Sequence, residues 1–367
     1  MRSSIIQIIS GSKARNGSRG LGRLSLTLTI ILFLAACGVD DDASDASEPP
    51  VSAATDSIPS TEEAIKIRWG VNNPYFNGNI PVTVGIESGI FSEYGLEVTA
   101  VETQTPMPAV IAGDADFAVG GAPPWLSAVA QGKDAVVVAT LFPKATQAVM
   151  VSPDSPLVEF KDQWPEAITG LQGMTIGVSV AGAQVDLSTR YLLLQAGLVP
   201  DEDVTVAALG GGTPQVAAFE DGRVEAIMGF VPFIQVLEGR GTAVSIFDFT
   251  NMPEGAPDTL NQPYMLAIAD PTFIEENPEV VQRLQDALVA VGEFIADDEN
   301  TAELIAILSP HFEGLEPAVI EQIIAQMREA GFDPSYTCDD FTKAVDMMTA
   351  LEILDQQLEC ETYVKAG

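Results

Sequence analysis

Gly177-Val178-Ser179-Val180-Ala181 is the stretch whose residue types and spacing come nearest to a nucleophilic centre, a serine among small residues in a strand-to-helix turn, with His311 available as a base. The second glycine of such an elbow would fall at Ala181, whereas the next glycine is Gly182, and His311 is the only histidine and stands far away in sequence. An extracytoplasmic hydrolase using Ser179 is therefore the alternative rather than the first reading. One histidine and three unclustered cysteines do not supply the usual zinc ligands. Gly132-Lys133-Asp134 lacks the Ser or Thr of a phosphate-binding loop. The expectation is a chain that is not an enzyme, with no catalytic residue, no cofactor and no metal, whose chemistry is reversible binding.

Residues suited to binding gather where apolar strands give way to helices, the place at which open α/β sheets form their ligand crevices. They are Asn73 and Tyr75 after the first strand, Asn79 before the first helix, Gly121 and Trp125, then Ser179, Gly182, Gln184 and Phe230, with Tyr264 later in the chain. Backbone amides at helix starts can hold an oxyanion or a polar ring edge. Each choice has a plainer alternative: Trp125 packing at a helix start, Gly121 relieving crowding, Asn79 and Gln184 capping helices, Tyr75 and Tyr264 at core edges. These loops contain no Arg or Lys, which argues against a strongly anionic ligand in a cationic clamp. Tyr75, Phe76, Trp125, Phe230 and Phe233 supply aromatic surface suited to a flat heteroaromatic molecule or an organic sulfonate with an apolar body, the first preferred.

The elements that must position these residues come in two similar series. Ala112-Gly113-Asp114-Ala115-Asp116-Phe117-Ala118-Val119-Gly120-Gly121-Ala122-Pro123 aligns with Asp221-Gly222-Arg223-Val224-Glu225-Ala226-Ile227-Met228-Gly229-Phe230-Val231-Pro232, and both copies follow a Gly-Leu pair and a short β-branched strand. Strands are expected at 65–71, 96–101, 117–119, 136–141 and 148–152, then at 174–179, 204–207, 226–228 and 264–269. Helices are expected at 81–94, 107–113, 124–131, 184–195, 214–220, from Pro232, from Asn277-Pro278, and at 302–308, 317–330 and 340–357. The alternation predicts two α/β lobes with mostly parallel sheets.

The chain's first segment bears on where such lobes work. Residues 1–23 carry five basic residues and no acid, and 24–36 are largely apolar, which fits a signal peptide too short to span a bilayer. Leu34-Ala35-Ala36-Cys37-Gly38 resembles the lipobox of bacterial lipoproteins, making Cys37 the expected lipidation site. Residues 37–63, rich in Asp, Ser, Ala and Pro, are expected to be a disordered acidic tether. Removal of residues 1–36 takes 17 Lys and Arg to 12 against 52 Asp and Glu. A surface that acidic repels nucleic acid and anionic headgroups, leaving the lipid as the only membrane contact.

From Ile80 to Val98, through Gly89-Ile90-Phe91-Ser92-Glu93-Tyr94-Gly95-Leu96-Glu97-Val98, and in the two Gly-x-x-Asp/Glu motifs, the sequence resembles bacterial ABC-importer solute-binding proteins of the nitrate, sulfonate, taurine and thiamine-pyrimidine-precursor group, over about residues 65 to 300. The resemblance implies a type II periplasmic-binding-protein-like fold whose two lobes are joined by two crossing strands, placed near 148–154 and 262–269. It divides the chain into lobe 1 at 64–151, lobe 2 at 152–262, and the rest of lobe 1 with C-terminal helices at 263–367. It implies capture of a small-molecule solute by a monomer and delivery to an ABC permease, from an anchored position in the periplasm or at the cell surface. A lipoprotein that senses a ligand without transport stays open.

Cys338 and Cys360 remain, in an oxidising compartment. One straight helix over the residues between them would hold them about 30 Å apart, and a disulfide needs α-carbons within roughly 7 Å. Either the chain turns back near Ala350 to Leu354 or the bond does not exist; the turn and the bond are preferred.

Overall fold

The computed structural model describes residues 64–71, 77–103, 105–312, 314–355 and 358–365, all within one compact unit, Ser60–Gly367. The expected signal peptide, Cys37, the tether, Asn73 and Tyr75 lie outside the described residues.

Two five-stranded sheets form the body. The first contains β1 (Ile65–Val71), β2 (Leu96–Glu102), β3 (Phe117–Gly120), β4 (Val136–Phe142) and β10 (Met265–Ala269) in the order β2-β1-β3-β10-β4. The second contains β5 (Gln147–Val151), β6 (Thr175–Val178), β7 (Thr205–Ala208), β8 (Ala226–Phe230) and β9 (Val244–Asp248) in the order β7-β6-β8-β5-β9. The two orders are the same. In each, four strands share one direction and the fifth, β10 or β5, is inserted antiparallel to both of its neighbours. The sheets are therefore mixed, because the chain enters each lobe through a crossing that delivers β5 or β10 in the reverse direction.

The first crossing is residues 143–146, earlier than the expected 148–154: β5 pairs with β8 and β9 and is wholly part of the second sheet. The expected boundary at 151 is corrected accordingly, and the return passage is 249–264. The edge strand β9 has no counterpart among the expected elements, since Ser245 and Asp248 interrupt its apolar pattern.

In the first lobe the helices are α1 (Ile80–Glu87), α2 (Ile90–Glu93), α3 (Pro106–Ile111) and α4 (Ala122–Ala130); in the second they are α5 (Glu166–Thr169), α6 (Gln184–Gln195), α7 (Thr213–Glu220) and α8 (Phe233–Arg240). The C-terminal part adds α9 (Pro271–Glu276), α10 (Val280–Ala296), α11 (Thr301–Leu308), α12 (Pro317–Ala330), α13 (Cys338–Ala350) and α14 (Cys360–Tyr363). The single helix expected at 81–94 is two, because Ser88 Oγ donates back to Val84 O at 2.6 Å and Gly89 takes φ 81°. Asn277 does not start a helix; its Nδ2 donates to Phe273 O at 3.0 Å, closing α9, and α10 begins at Val280.

Burial alternates along β1, so Ile67 and Trp69 point inward, where Trp69 stacks on Phe117 with ring centroids 5.3 Å apart. At the far end α13 stops at Ala350, Glu352 turns the chain with φ 57°, and Cys338 and Cys360 are joined with α-carbons 5.7 Å apart. The tail then lies along β4, with Lys365 N donating to Val137 O at 2.9 Å.

Candidate functional site

The duplicated motif explains much of the scaffold around the cleft. Gly113 and Gly222 hold φ 75° and 69° just after α3 and α7, a backbone region that disfavours side chains bearing a Cβ. The acid three residues later reaches across to the neighbouring parallel strand, β1 or β6. Asp116 N donates to Arg68 O and Asp116 Oδ2 accepts from Arg68 N at 2.7 Å; Glu225 N donates to Thr175 O and Glu225 Oε2 accepts from Thr175 N at 2.8 Å. Asp116 also pairs with the Arg68 guanidinium at 2.6 Å, and that hydrogen bond holds the guanidinium above its usual range. Neither acid reaches the cleft. Gly120 and Gly229 are equivalent too: a Cβ there would collide with Ile268 of β10 or Met150 of β5, so each glycine makes room for the inserted strand.

Between the lobes lies a cavity of about 930 Å³. The first turns of α4, α6, α7 and α8, which follow β3, β6, β7 and β8, converge on it. Lobe 1 supplies Val119, Gly120, Gly121 and Pro124, the return crossing supplies Tyr264, and lobe 2 supplies most of the rest, including Ser179, Gln184, Thr213, Phe230 and Phe233. Phe230 and Phe233 meet edge to face with centroids 5.1 Å apart, forming an aromatic corner on the lobe 2 side. Among the described residues, Glu220 and Arg240 are the charged ones on this wall, and they pair with each other at 3.2 Å.

Of the residues selected from sequence, Gly121, Ser179, Gln184, Phe230 and Tyr264 line this cavity, and Asn79, Trp125 and Gly182 do not. Trp125 is fully buried, with Nε1 donating to Ala135 O at 3.1 Å and its ring packed edge-on against Tyr336 and Phe341. Gly182 makes the turn into α6, with φ 76° and its N–H donating to Asp186 Oδ2 at 2.7 Å. Asn79 sits at the start of α1 and is buried there. Tyr264 accepts from Gln147 Nε2 at 3.4 Å, and burial pushes its phenol well above the usual range, so it stays neutral. Ser179 has no histidine on the cavity wall, since His311 stands in the turn Ser309–Phe312.

Thr213, Pro214 and Ala217 are not among the residues selected from sequence. The strand-end rule, applied to β7 as it was to β6 and β8, selects them. Val236, Arg240 and Leu315 lie outside that rule: the first two are reached by following α8 around one face, and Leu315 by folding the C-terminal part back over the cleft.

The family description "NMT1/THI5 like" matches residues 77–302. No curated protein sequence matches the chain. Among solved structures, the alkanesulfonate-binding protein SsuA of Xanthomonas axonopodis pv. citri, bound to MOPS, superposes with a TM-score of 0.65 at 19% identity, over 83% of this chain and 100% of that one. The periplasmic aliphatic sulphonate binding protein SsuA of Escherichia coli gives 0.66 at 17% identity, over 82% and 92%. The periplasmic nitrate-binding protein NrtA of Synechocystis PCC 6803 gives 0.53 at 18%, over 67% and 66%. At these identities the likeness is one of fold, the two-lobed α/β architecture of periplasmic binding proteins.

Proposed function

This chain belongs to the NMT1/THI5-like family, and from that premise we propose that it is the extracytoplasmic solute-binding component of an ABC import system. It captures a small organic solute, heteroaromatic or sulfonate-like, between two closing lobes and passes it to a permease. The observation that carries this reading is the interlobe cavity of about 930 Å³, walled by both lobes, ringed by helix starts and faced by Phe230 and Phe233. A solute touching both lobes favours the closed arrangement by its differential affinity for it. Gly121, Ser179, Gln184, Phe230 and Tyr264 are the contacts proposed from the wall, and Asn73 and Tyr75 are proposed from sequence. A flat body would lie on the aromatic corner. An oxyanion or polar ring edge would take the first-turn amides of α6; α7 offers less because Pro214 has no N–H and the Gln215 and Val216 amides donate to Gly212 O.

The same reading has the protein working as a monomer tethered through lipid on Cys37, outside the cytoplasm. Its test is calorimetry and thermal shift with nitrate, aliphatic and aromatic sulfonates, and aminopyrimidines. One class should raise the melting temperature selectively, by mass action on the folded state. Phe230→Ala should weaken that binding by about tenfold or more, as expected when an aromatic contact is lost from a buried site. Binding of every class alike, or of none, would overturn the assignment.

A further inference from the structure

Gln184 is the one residue shared by the solute cavity and a smaller space of about 10 Å³ behind it, which Ser188, Tyr191, Phe249 and Gln262 also wall. It is the first residue of α6 in lobe 2 and is 7% exposed. Its Nε2 donates to Ser188 Oγ at 3.1 Å, which leaves Oε1 turned toward lobe 1. There it abuts Gly121: a Cβ on that residue would collide with Oε1, so the carboxamide comes this close only because a glycine faces it. Oε1 is buried there without a donor.

Two further amide oxygens in the hinge layer share this condition. Gln147 Oε1, at the start of β5, and Gln262 Oε1, on the return crossing, are buried without donors, while their Nε2 atoms are directed at Tyr264 Oη (3.4 Å) and Met347 Sδ (3.1 Å). Burying an unpaired amide oxygen disfavours the state that buries it by a factor of roughly 5 to 150. With the lobes apart, water can serve Gln184 Oε1. With the lobes together, Oε1 is sealed against Gly121, and a donor reaches it only where the carboxamide turns toward the cavity that Gln184 lines, so the donor must come from what that cavity holds.

We propose that Gln184 makes lobe closure conditional on a solute that brings an N–H or O–H donor to its Oε1 beside Gly121. The inference rests on the solute-binding reading and narrows it: the solute class is one with a donor edge at the deep end and an apolar body against Phe230 and Phe233. A bare oxyanion offers only further acceptors at this point. Gln184 is thus a specificity-determining residue of the cleft, and Gly121 is its steric counterpart in the other lobe.

The test reads the interlobe distance by pulsed EPR, with spin labels at Lys133→Cys and Glu202→Cys in the full chain carrying Cys37→Ser and no solute added. Gln184→Met keeps the side-chain volume and removes the unpaired acceptor, so the closed population should rise on the order of tenfold. Gly121→Ala, which drives the carboxamide away from lobe 1, should lower it. Unchanged distances in both variants would overturn the proposal. Calorimetry with benzamide, N,N-dimethylbenzamide and benzenesulfonate then tests the donor: the original protein should prefer benzamide about tenfold, and Gln184→Met should erase the preference. Equal affinity of the original protein for the two amides would also overturn the proposal. The ligand-free distances stand apart from any solute, so a shift there with no solute found by screening would leave the Gln184 device in place and remove the import reading alone.

Discussion

The two lobes have the same strand order, the same inserted antiparallel strand, an equivalent left-handed glycine and an equivalent acid clasping the neighbouring parallel strand, yet they face the cleft with different chemistry. Where the motif alignment puts Phe230 and Phe233 in lobe 2, lobe 1 has Gly121 and Pro124. Lobe 2 therefore faces the cleft with rings and three helix starts, and lobe 1 presents a small-residue wall that lets Gln184 approach. What repeats is the scaffold. What differs is the wall each lobe turns to the cleft.

The sharpest way to break that comparison is at Trp125, whose aligned partner in lobe 2 is Ile234. Trp125 is a core residue of lobe 1 and not a cleft residue, so Trp125→Ala should destabilise the protein by about 3–5 kcal/mol in denaturant unfolding. Phe230→Ala, on the cavity wall, should lose less stability and far more solute affinity. A Trp125→Ala variant with ordinary stability and lost binding would return Trp125 to the cleft and undo the division between scaffold and site.

The next difference lies at the sheet edges. β4 and β9 occupy equivalent edge positions, but only β4 is covered by the C-terminal tail, which the Cys338–Cys360 disulfide ties to the start of α13. Reduction should weaken the protein by about 3 kcal/mol, a typical value for closing a loop of this size. In hydrogen exchange the loss should appear along β4 and α13 while β9 keeps its protection. Equal loosening of both edges would mean the tail acts on the whole body rather than on lobe 1.

Much of this asymmetry was legible in the residues, and its limits have physical causes. The paired motifs show two lobes because each signature residue acts locally, within a helix end and the strand beside it. The bounds of α6 and α12 follow from apolar spacing and Pro317. Trp125 could not be placed from sequence because its partners, Tyr336 and Phe341, come from over 200 residues further on. The mostly parallel sheets expected from the alternation are present, but the one reversed strand in each could not be foreseen, because its direction is set by the crossings, which leave no periodicity in the chain. Gly121 stands among the expected binding residues by its place after β3; that it admits Gln184 from the other lobe depends on the distance between lobes, and no local pattern encodes that.

The smallest effect separates the two acids that look alike. Asp116 is buried and holds both the Arg68 amide and its guanidinium, whereas Glu225 is exposed and holds the Thr175 amide alone. Asp116→Ala leaves a strand amide and an arginine without their shared carboxylate, and should cost about 1–3 kcal/mol. Glu225→Ala exposes the Thr175 amide to water that can replace the lost acceptor, so its effect should stay near 0.5–1.5 kcal/mol. Neither substitution should change solute affinity, because both carboxylates bond to the neighbouring parallel strand, β1 or β6, away from the cavity wall. Equal losses from the two variants in urea unfolding would show that the Arg68 pair adds nothing beyond the backbone clasp, in keeping with the small worth of half-exposed ion pairs. A larger loss at Glu225 would mean that the second lobe depends more heavily on its clasp, and the scaffold would then differ between lobes as the cleft does.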